Sequence, residues 1–452
     1  MENLNIRIIT EHKTIRESDE EFNMVKELGV SLRELKIEDG AGLAEIVGNK
    51  KVLDNMDDIP NPGKIEDSEE FIHACLNEDD PKIARAICYD GNLIGWIGVI
   101  RRDNIRRLTG EMGYYIAEDY WGKGIMTEAV RLMCAYIFES TDIVRIFAEP
   151  YAFNAASCRV LEKAGFTFEG LLRQNAIKNG HILDMKLYAM LKTDVELANS
   201  LSANTTELIP YLPYILQDYW ELGSDPDVMV RLIEKHSELA QNSQILDLAC
   251  GKGAVSVKIA DRLGVRVKGI DITPEFIEYA RQKSKEYGTE SLCEFTLGDI
   301  NEAVKTERDY DCVILGAVGP GVLGGPAETL RKLKSVVKPG GYILIEDGFI
   351  ADESYREKIR HNKDIHLTER QWHDFFEEAG LTLCETASGF GEGEMDNVSG
   401  MAAITKRANE LIEKHPDKKA LIEGYVRSQQ NEYDDIDNEL ICVTWILRKN
   451  KK

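Results

Sequence analysis

Residues 244–271 read QILDLACGKGAVSVKIADRLGVRVKGID. The apolar run QILDLAC (244–250) predicts a strand, Gly251-Lys252-Gly253 a tight turn, AVSVKIADRLG (254–264) an amphipathic helix, and VRVKGIDI (265–272) a second strand. Strand, glycine turn, helix and strand in this order make a βαβ unit. The same alternation continues outward through PEFIEYARQKSKEYG (274–288), CEFTLGDI (293–300), YDCVILGA (310–317), AETLRKLKSVV (327–337) and YILIEDGF (342–349). Short apolar strands separated by helices predict a parallel sheet covered on both faces. Beyond it, TLCETASG (382–389) and ICVTWILR (441–448) read as a closing strand pair. Between these lie the helical patterns KRANELIEKH (406–415) and KALIEGYVRSQQNEY (419–433), which are extra packing on one reading and part of a substrate lid on another. Upstream, YLPYILQDYWELG (211–223) reads as an aromatic helix and VMVRLIEKHSELA (228–240) as a second helix.

Glycines in such a turn let backbone amides approach an anion at the positive end of the following helix. With Ser256 in the sixth position, Gly251-x-Gly253 nearly meets the dinucleotide pattern GxGxxG. Asp271 follows Gly251 by 20 residues, where a carboxylate can bond both ribose hydroxyls, so a nucleoside is indicated without choosing among nucleosides. The stretch LDLACGKG decides the choice: it matches LDxxCGxG, and residues 210–449 resemble the class I S-adenosylmethionine-dependent methyltransferases. That resemblance implies a donor held by Tyr219, Asp247, Ala249, Gly251, Gly253, Asp271, Ile272, Asp299, Ile300 and Gly316, with Asp299 reading the adenine amine. It makes Lys338-Pro-Gly340-Gly341 the turn into a fifth strand. The sulfonium is a cation, so Tyr214, Tyr219 and Trp220 could cover it, although core packing explains the same aromatics. After the fourth strand, Leu315-Gly-Ala-Val-Gly-Pro320 is not the Asn/Asp-Pro-Pro-aromatic tetrad that grips a nucleobase amine. Glu346, Asp347, His366 and His373 are the polar candidates for an acceptor mouth or lid; His361, His366 and His373, spaced 5 and 7, do not share one helical face, so no metal is expected.

The N-terminal part is patterned differently. VSLRELKI (30–37), ARAICYD (84–90), NLIGWIGVI (92–100), GEMGYYIA (110–117), IVRIFAEP (143–150) and MKLYAML (185–191) read as strands. AGLAEIVGN (41–49), SEEFIHACLNE (68–78), GKGIMTEAVRLMCAYIFES (122–140) and NAASCRVLEKAG (154–165) carry helical periodicity. Gly122 and Gly124 open a long helix directly after a strand, an arrangement that fits a pyrophosphate. A second strand then runs into Asn154-Ala-Ala-Ser157, ending in Ala-Gly-Phe166. YWGKGIMTEA and NAASCRVLEKAGF, with the opening LRELKIEDGAGLAEI, resemble the GNAT superfamily of acyl-CoA-dependent N-acetyltransferases over residues 30–192, closest to the branch that acetylates ribosomal-protein N-termini and small amines. The resemblance implies that backbone amides of Trp121, Gly122, Lys123, Gly124 and Ile125 hold the acetyl-CoA pyrophosphate. It implies further that Tyr115, Ile116 and Ala117 pair with the pantetheine arm and that Asn154 bonds it. Two positions depart from the pattern: Asp119 stands where Gln or Arg is common, and Leu161 where a tyrosine general acid is common, leaving water or another tyrosine such as Tyr188.

Acetyl transfer needs a neutral amine. Deprotonation at pH 7 costs roughly 4.6 kcal/mol for a lysine-like amine and only about 1 kcal/mol for an α-amine. Glu111, on the strand before the glycine turn, is the candidate base, with an exposed structural carboxylate as the alternative, while Glu128 reads as structural.

Composition bounds these readings. At 452 residues the chain is long enough for two or three domains. Its formal net charge of −24 disfavours a nucleic-acid partner and favours cationic or amine-bearing ones. Nine scattered cysteines without a CxxC pair suit a reducing compartment. No signal peptide and no run of apolar residues long enough to span a membrane is visible, so a cytoplasmic location without membrane attachment is expected. The expected organisation is an N-terminal extension (1–29) with no assignable role, an N-acetyltransferase domain of mixed α/β sheet (30–193), a linker of one or two helical turns (194–209) and a Rossmann-like, doubly wound methyltransferase domain (210–452). The expected function is a bifunctional transferase taking acetyl-CoA and S-adenosylmethionine. The rivals are a cofactor-binding sensor and an N-acetyltransferase with a non-catalytic second half; the acceptors and the oligomeric state are not legible.

Overall fold

The computed structural model describes residues 24–25, 29–56, 62–77, 80–203, 205–236, 242–318, 321–360, 366–388 and 397–451. Nearly all of the expected N-terminal extension, and His361, lie outside the described residues. The chain divides into two compact units, one reaching Val195 and adding 205–207, the other taking 196–204 and 208 onward.

The first unit is one twisted sheet of β1 (Met24–Val25), β2 (Val30–Arg33), β3 (Lys82–Tyr89), β4 (Asn92–Arg101), β5 (Thr109–Ile116), β6 (Arg145–Ala148), β7 (Thr167–Lys178) and β8 (His181–Leu191). Its order is β1-β2-β3-β4-β5-β6-β8-β7, antiparallel except between β5 and β6. The strand β7 is an addition to the elements expected from the sequence. Two tight hairpins set the register: Asp90-Gly91 between β3 and β4 and Asn179-Gly180 between β7 and β8 all have positive φ, the type I′ geometry that matches strand twist. On one face the Ile125–Ser140 and Ala155–Ala164 helices bury Ala129, Met133, Ile137, Cys158 and Leu161 against β2, β4 and β5. On the other, Leu43, Ile46 and Ile72 from the Gly40–Gly48 and Ile65–Cys75 helices pack with Trp96. Burial on both sides explains why β4 reads as a continuous apolar run.

The second unit holds β9 (Gln244–Leu248), β10 (Arg266–Asp271), β11 (Cys293–Leu297), β12 (Tyr310–Gly316), β13 (Val337–Ile350), β14 (Leu367–Thr368), β15 (Leu381–Ser388) and β16 (Leu440–Lys449). The order is β11-β10-β9-β12-β13-β16-β15, with β14 added beside β13. The first five strands are parallel, and β16 runs antiparallel to both neighbours, which realises the closing pair. The strand order reverses between β9 and β12, and ligands of open α/β sheets bind at the carboxyl ends of strands flanking such a reversal.

One sequence expectation changes. Residues 211–223 are not one helix: only Leu212–Ile215 is helical, followed by turns with positive φ at Leu222 and Gly223. The cause is Lys252, whose buried ammonium takes the carbonyls of Leu216 and Tyr219 that a continuing helix would have used. The described residues of 194–209, expected as a linker of one or two helical turns, carry helix and turn. They supply the end of the Lys192–Ser200 helix and the start of the Thr206–Tyr211 turn, and Ala198, Ala203 and Leu208 are buried with Met401, Ile404 and Tyr425. No helix among the described residues is long and apolar enough to cross a membrane.

Candidate active sites

In the first unit the site is made by strands that part. Pairing of β5 with β6 stops at Glu111–Phe147, whereas β5 continues to Ile116 against β4 alone. From Met112 to Ile116, therefore, one edge of β5 has no strand partner among the described residues, and an extended polar chain could add there. Side chains alternate about this edge: Tyr115 packs on Trp96, with ring centroids 5.9 Å apart, and Tyr114 turns the other way to share a 2.9 Å hydrogen bond with the Ser157 hydroxyl. The strand ends in a Glu118–Tyr120 turn, tied back by the Trp121 indole, which donates to the Ile116 carbonyl at 3.0 Å.

Gly122 and Gly124 follow with φ of +73° and +81°, and a Cβ on either would meet nothing within 4 Å. Their glycine character thus answers to backbone conformation and to free approach from outside, not to internal packing. The Ile125–Ser140 helix starts at once, and the amides of its first turn have no acceptor within the helix. An open cradle of amides has the form a pyrophosphate needs, and the stretch from Tyr115 to Ile125 leads from the β5 edge into it. Asn154 is the N-cap of the Ala155–Ala164 helix, its Oδ1 accepting the Ser157 amide at 3.1 Å, so only its Nδ2 is left to donate to a ligand.

Glu111 sits where β5 and β6 separate. Its carboxylate, about one third exposed, pairs with Arg102, whose guanidinium lies over the Phe147 ring at 5.4 Å. Leu161 is fully buried in the core. The Tyr188 hydroxyl, offered as an alternative acid, donates instead to Glu162 at 2.8 Å, and burial raises its pKa. Glu128 is buried as well.

In the second unit the glycine turn is packed from inside. Ala249, Gly251 and Gly253 all have positive φ (+55°, +51° and +76°). A Cβ on Gly253 would lie 2.7 Å from the Ala280 Cβ and 2.9 Å from the Phe295 ring. Asp271 organises the turn: its Oδ2 accepts the Gly251 amide (2.9 Å) and its Oδ1 the Thr273 amide (2.8 Å). Burial raises its pKa against these bonds, and lone pairs are left for ribose hydroxyls. Asp299 stands one strand over, just past β11, where its Oδ1 caps the Ile300–Thr306 helix by accepting the Asn301 amide at 2.7 Å. Asp247 faces inward: it is buried, accepts the Ser256 hydroxyl at 2.6 Å and is pushed up to about 7 by burial, so it supports the turn from beneath. The Ile300 side chain is likewise in the core, Ile272 is half-buried, and Gly316 closes β12 against Met229.

Lys252, to which the sequence reading gave no role, locks this arrangement. Beyond its bonds to Leu216 and Tyr219, its own carbonyl accepts the Trp220 indole at 3.0 Å. Burial lowers its pKa to about 8. The only signal would have been a lysine between two turn glycines. Of the three aromatics offered to the sulfonium, Trp220 is core, flanked by Lys283 and Lys258, and Tyr214 bonds Glu410 at 2.6 Å. Tyr219 lines a cavity. That cavity, about 190 Å³, is bounded by Leu222, Gly223 and Ala317 beside the turn, by Glu346 and Asp347 on β13, and by the Lys419–Asn438 helix. His366 reaches it, whereas His373 packs on Phe376. Among the described residues no cluster of His, Cys, Asp or Glu could hold a metal ion.

The family model described as "Acetyltransferase (GNAT) domain" matches residues 30–167, and the one described as "Methyltransferase domain" matches 239–380. "Putative ribosomal N-acetyltransferase YdaF" of Bacillus subtilis (strain 168) is 32% identical over 176 residues, 37% of this chain and 93% of that protein. The "Probable cobalt-precorrin-6B C(15)-methyltransferase (decarboxylating)" of Methanothermobacter thermautotrophicus is 32% identical over 138 residues, 29% of this chain and 68% of that protein. A SAM-dependent methyltransferase from Thiobacillus denitrificans, solved with S-adenosyl-L-homocysteine, aligns with a TM-score of 0.43 and 19% identity over 52% of this chain and 97% of its own. By its first unit, then, the chain belongs to the GNAT acetyltransferases, and by its second to the methyltransferases.

Proposed function

We propose that both units are catalytic: the first transfers acetyl from acetyl-CoA to a primary amine, a protein N-terminus or a small molecule, and the second transfers methyl from S-adenosylmethionine to a small acceptor. The observation that carries this reading is the pair of glycine turns at strand-to-helix junctions, each with two positive-φ glycines. In the first, acetyl-CoA supplies an activated acyl group and a thiolate leaving group. Glu111, sharing its charge with Arg102, takes the amine proton, and the hydrogen-bonded hydroxyls of Ser157 and Tyr114 are placed to return one to the thiolate. In the second, the residues of the turn orient the donor and exclude water, and no dedicated acid or base is required. Acceptors are cationic or amine-bearing, in keeping with the net charge of −24, and nucleic acid and membrane are not partners. All nine cysteines are free, which suits a cytoplasmic setting.

The test is incubation of the full chain with acetyl-labelled coenzyme A, methyl-labelled S-adenosylmethionine and an amine library. Label is expected in an acceptor through both channels. Tight cosubstrate binding with no label transferred in either would leave the sensor reading, which Leu161 in place of a tyrosine acid favours, as the better one.

A further inference from the structure

We infer that the cavity of the second unit receives an amine as a cation and that the methyl acceptor of this chain is that amine nitrogen, anchored by Glu346 with Asp347; the inference rests on reading this unit as a methyltransferase. The lining carries four carboxylates, Glu346, Asp347, Glu432 and Asp435, and no lysine or arginine among the described residues. Some of this charge is committed elsewhere. Asp435 accepts the Arg360 amide (2.9 Å), and Glu432 accepts Gln429 Nε2 (2.9 Å). Glu346 is not fully committed: it is 4% exposed, its Oε1 accepts the Asp225 amide (3.0 Å) and the Thr444 hydroxyl (3.4 Å), and its buried Oε2 makes no formed hydrogen bond, although the Ser224 hydroxyl lies close enough to favour the charged carboxyl. The buried Tyr425 hydroxyl, also on the lining, is left without a hydrogen bond too. A buried carboxylate oxygen without a donor costs free energy that an N–H donor bearing positive charge would recover. An alcohol would leave the charge unbalanced, and a carboxylate would add to it.

Position agrees with chemistry. Glu346 pairs in register with Gly316, the last residue of β12, and Ala317 and Leu222 line the cavity, Leu222 being the side chain that a Cβ on Gly251 would meet at 2.9 Å. The cavity therefore begins at the donor turn. Burial pushes Glu346 up to about 8 in the empty cavity, and an ammonium alongside favours its carboxylate form, which can then take the amine proton. In the balanced step the ammonium gives one proton to Glu346. The nitrogen lone pair then forms the N–C bond as the C–S bond breaks, its electron pair staying on sulfur, and Glu346 passes its proton to solvent. Substrate ammonium and sulfonium thus become N-methylammonium, S-adenosylhomocysteine and one released proton.

The experiment loads the full chain with S-adenosylhomocysteine and titrates two matched triplets by calorimetry: phenethylamine, phenethyl alcohol and 3-phenylpropanoate, then hexylamine, hexanol and hexanoate. Each amine is expected to bind at least tenfold more tightly than its alcohol, and the carboxylates not at all. With labelled S-adenosylmethionine the product is the N-methylamine. Glu346→Gln should erase the preference while S-adenosylhomocysteine affinity stays within twofold, and Asp347→Asn should reduce it if the first variant does not melt cooperatively. Equal or better binding of an alcohol or carboxylate, no binding of either amine to the loaded chain, or a preference surviving both substitutions overturns the inference alone. Failure of S-adenosylhomocysteine to bind overturns the methyltransferase reading and the inference with it.

Discussion

The two glycine turns look alike in sequence and differ in what surrounds them. Around Gly122 and Gly124 there is open space, so the first turn is shaped by backbone conformation and waits for its ligand from outside. Gly253 is pressed between Ala280 and Phe295, and Gly251 meets Leu222, so the second turn is part of the core of its own unit. Acid chemistry divides the same way: Glu111 is at a partly exposed strand edge, whereas Asp247, Asp271 and Glu346 are buried. Function in the first unit rests on a surface that can be altered without unfolding it; in the second, binding and stability share residues.

The largest expected effect tests the first half of that statement. Glu111→Gln keeps a hydrogen-bond partner for Arg102 but removes the base, and acetyl transfer should fall by about 10²- to 10⁴-fold. Coenzyme A affinity by calorimetry should stay within twofold and methyl transfer should not change. A fall of less than threefold would return Glu111 to a structural role.

Next in size is the contrast between the turns. Gly253→Ala forces a positive-φ residue and a contact below 3 Å together, and should destabilise the second unit by about 2 to 4 kcal/mol. Gly124→Ala meets only the conformational cost, about 1 to 2 kcal/mol, yet should weaken coenzyme A binding at least tenfold through a methyl group in the ligand's path. Denaturant unfolding followed by hydrogen exchange on peptides of each unit separates the two, and equal losses of stability would break the comparison.

The same contrast governs how much was legible beforehand. Both turns, their helices and Asp271 follow from local pattern, because a glycine-led turn after an apolar strand is a short-range feature, whereas Asp299 follows from the methyltransferase resemblance. β7 escaped because it is exposed along most of its length, with Phe168, Leu171 and Ile177 out of the core, so it shows no clean alternation; the Asn179-Gly180 hairpin was the available signal. The helix over 211–223 was overextended because its limit is set by Lys252, a tertiary contact that propensity does not encode. The cavity was legible in fragments only: Glu346 and Asp347 stood out, but Tyr425 and Glu432 reach them from a helix more than seventy residues on.

Proton linkage sharpens the comparison with a smaller effect. Burial raises Asp347 to about 6, Asp247 to about 7 and Glu346 to about 8, all above their unfolded values. The folded second unit then holds more protons than the unfolded chain, so their contribution is complete below about pH 4 and is lost as pH rises towards 8. Each contributes a slope of at most about 1.4 kcal/mol per pH unit. Lys252 is lowered, so its contribution is gained only between about pH 8 and 10.5. In the first unit Asp39 has the opposite sign: burial opposes its charge, but the Arg33 hydrogen bond prevails and lowers its pKa, so its contribution is lost as pH falls through the acid range. Hydrogen exchange at pH 5 and 8 should show the second unit relatively weaker at pH 8, and Glu346→Gln should flatten part of that difference.

The smallest expected effect concerns Tyr188, the acid suggested by the absence of a tyrosine at position 161. Its ring is buried between β6 and β7, with its hydroxyl directed to Glu162. Tyr188→Phe removes one hydrogen bond; because Glu162 is exposed, water replaces the lost donor there, and the cost should be only about 0.5 to 1.5 kcal/mol. Acetyl-transfer kcat should stay within twofold across the pH range, since the Tyr188 hydroxyl is already committed to the Glu162 carboxylate. Ser157→Ala, which removes the hydroxyl bonded to Tyr114 at the start of the Ala155–Ala164 helix, should lower kcat more than Tyr188→Phe does. The reverse ranking would move the proton donor to Tyr188 and out of the strand gap where the first unit presents its other reactive groups.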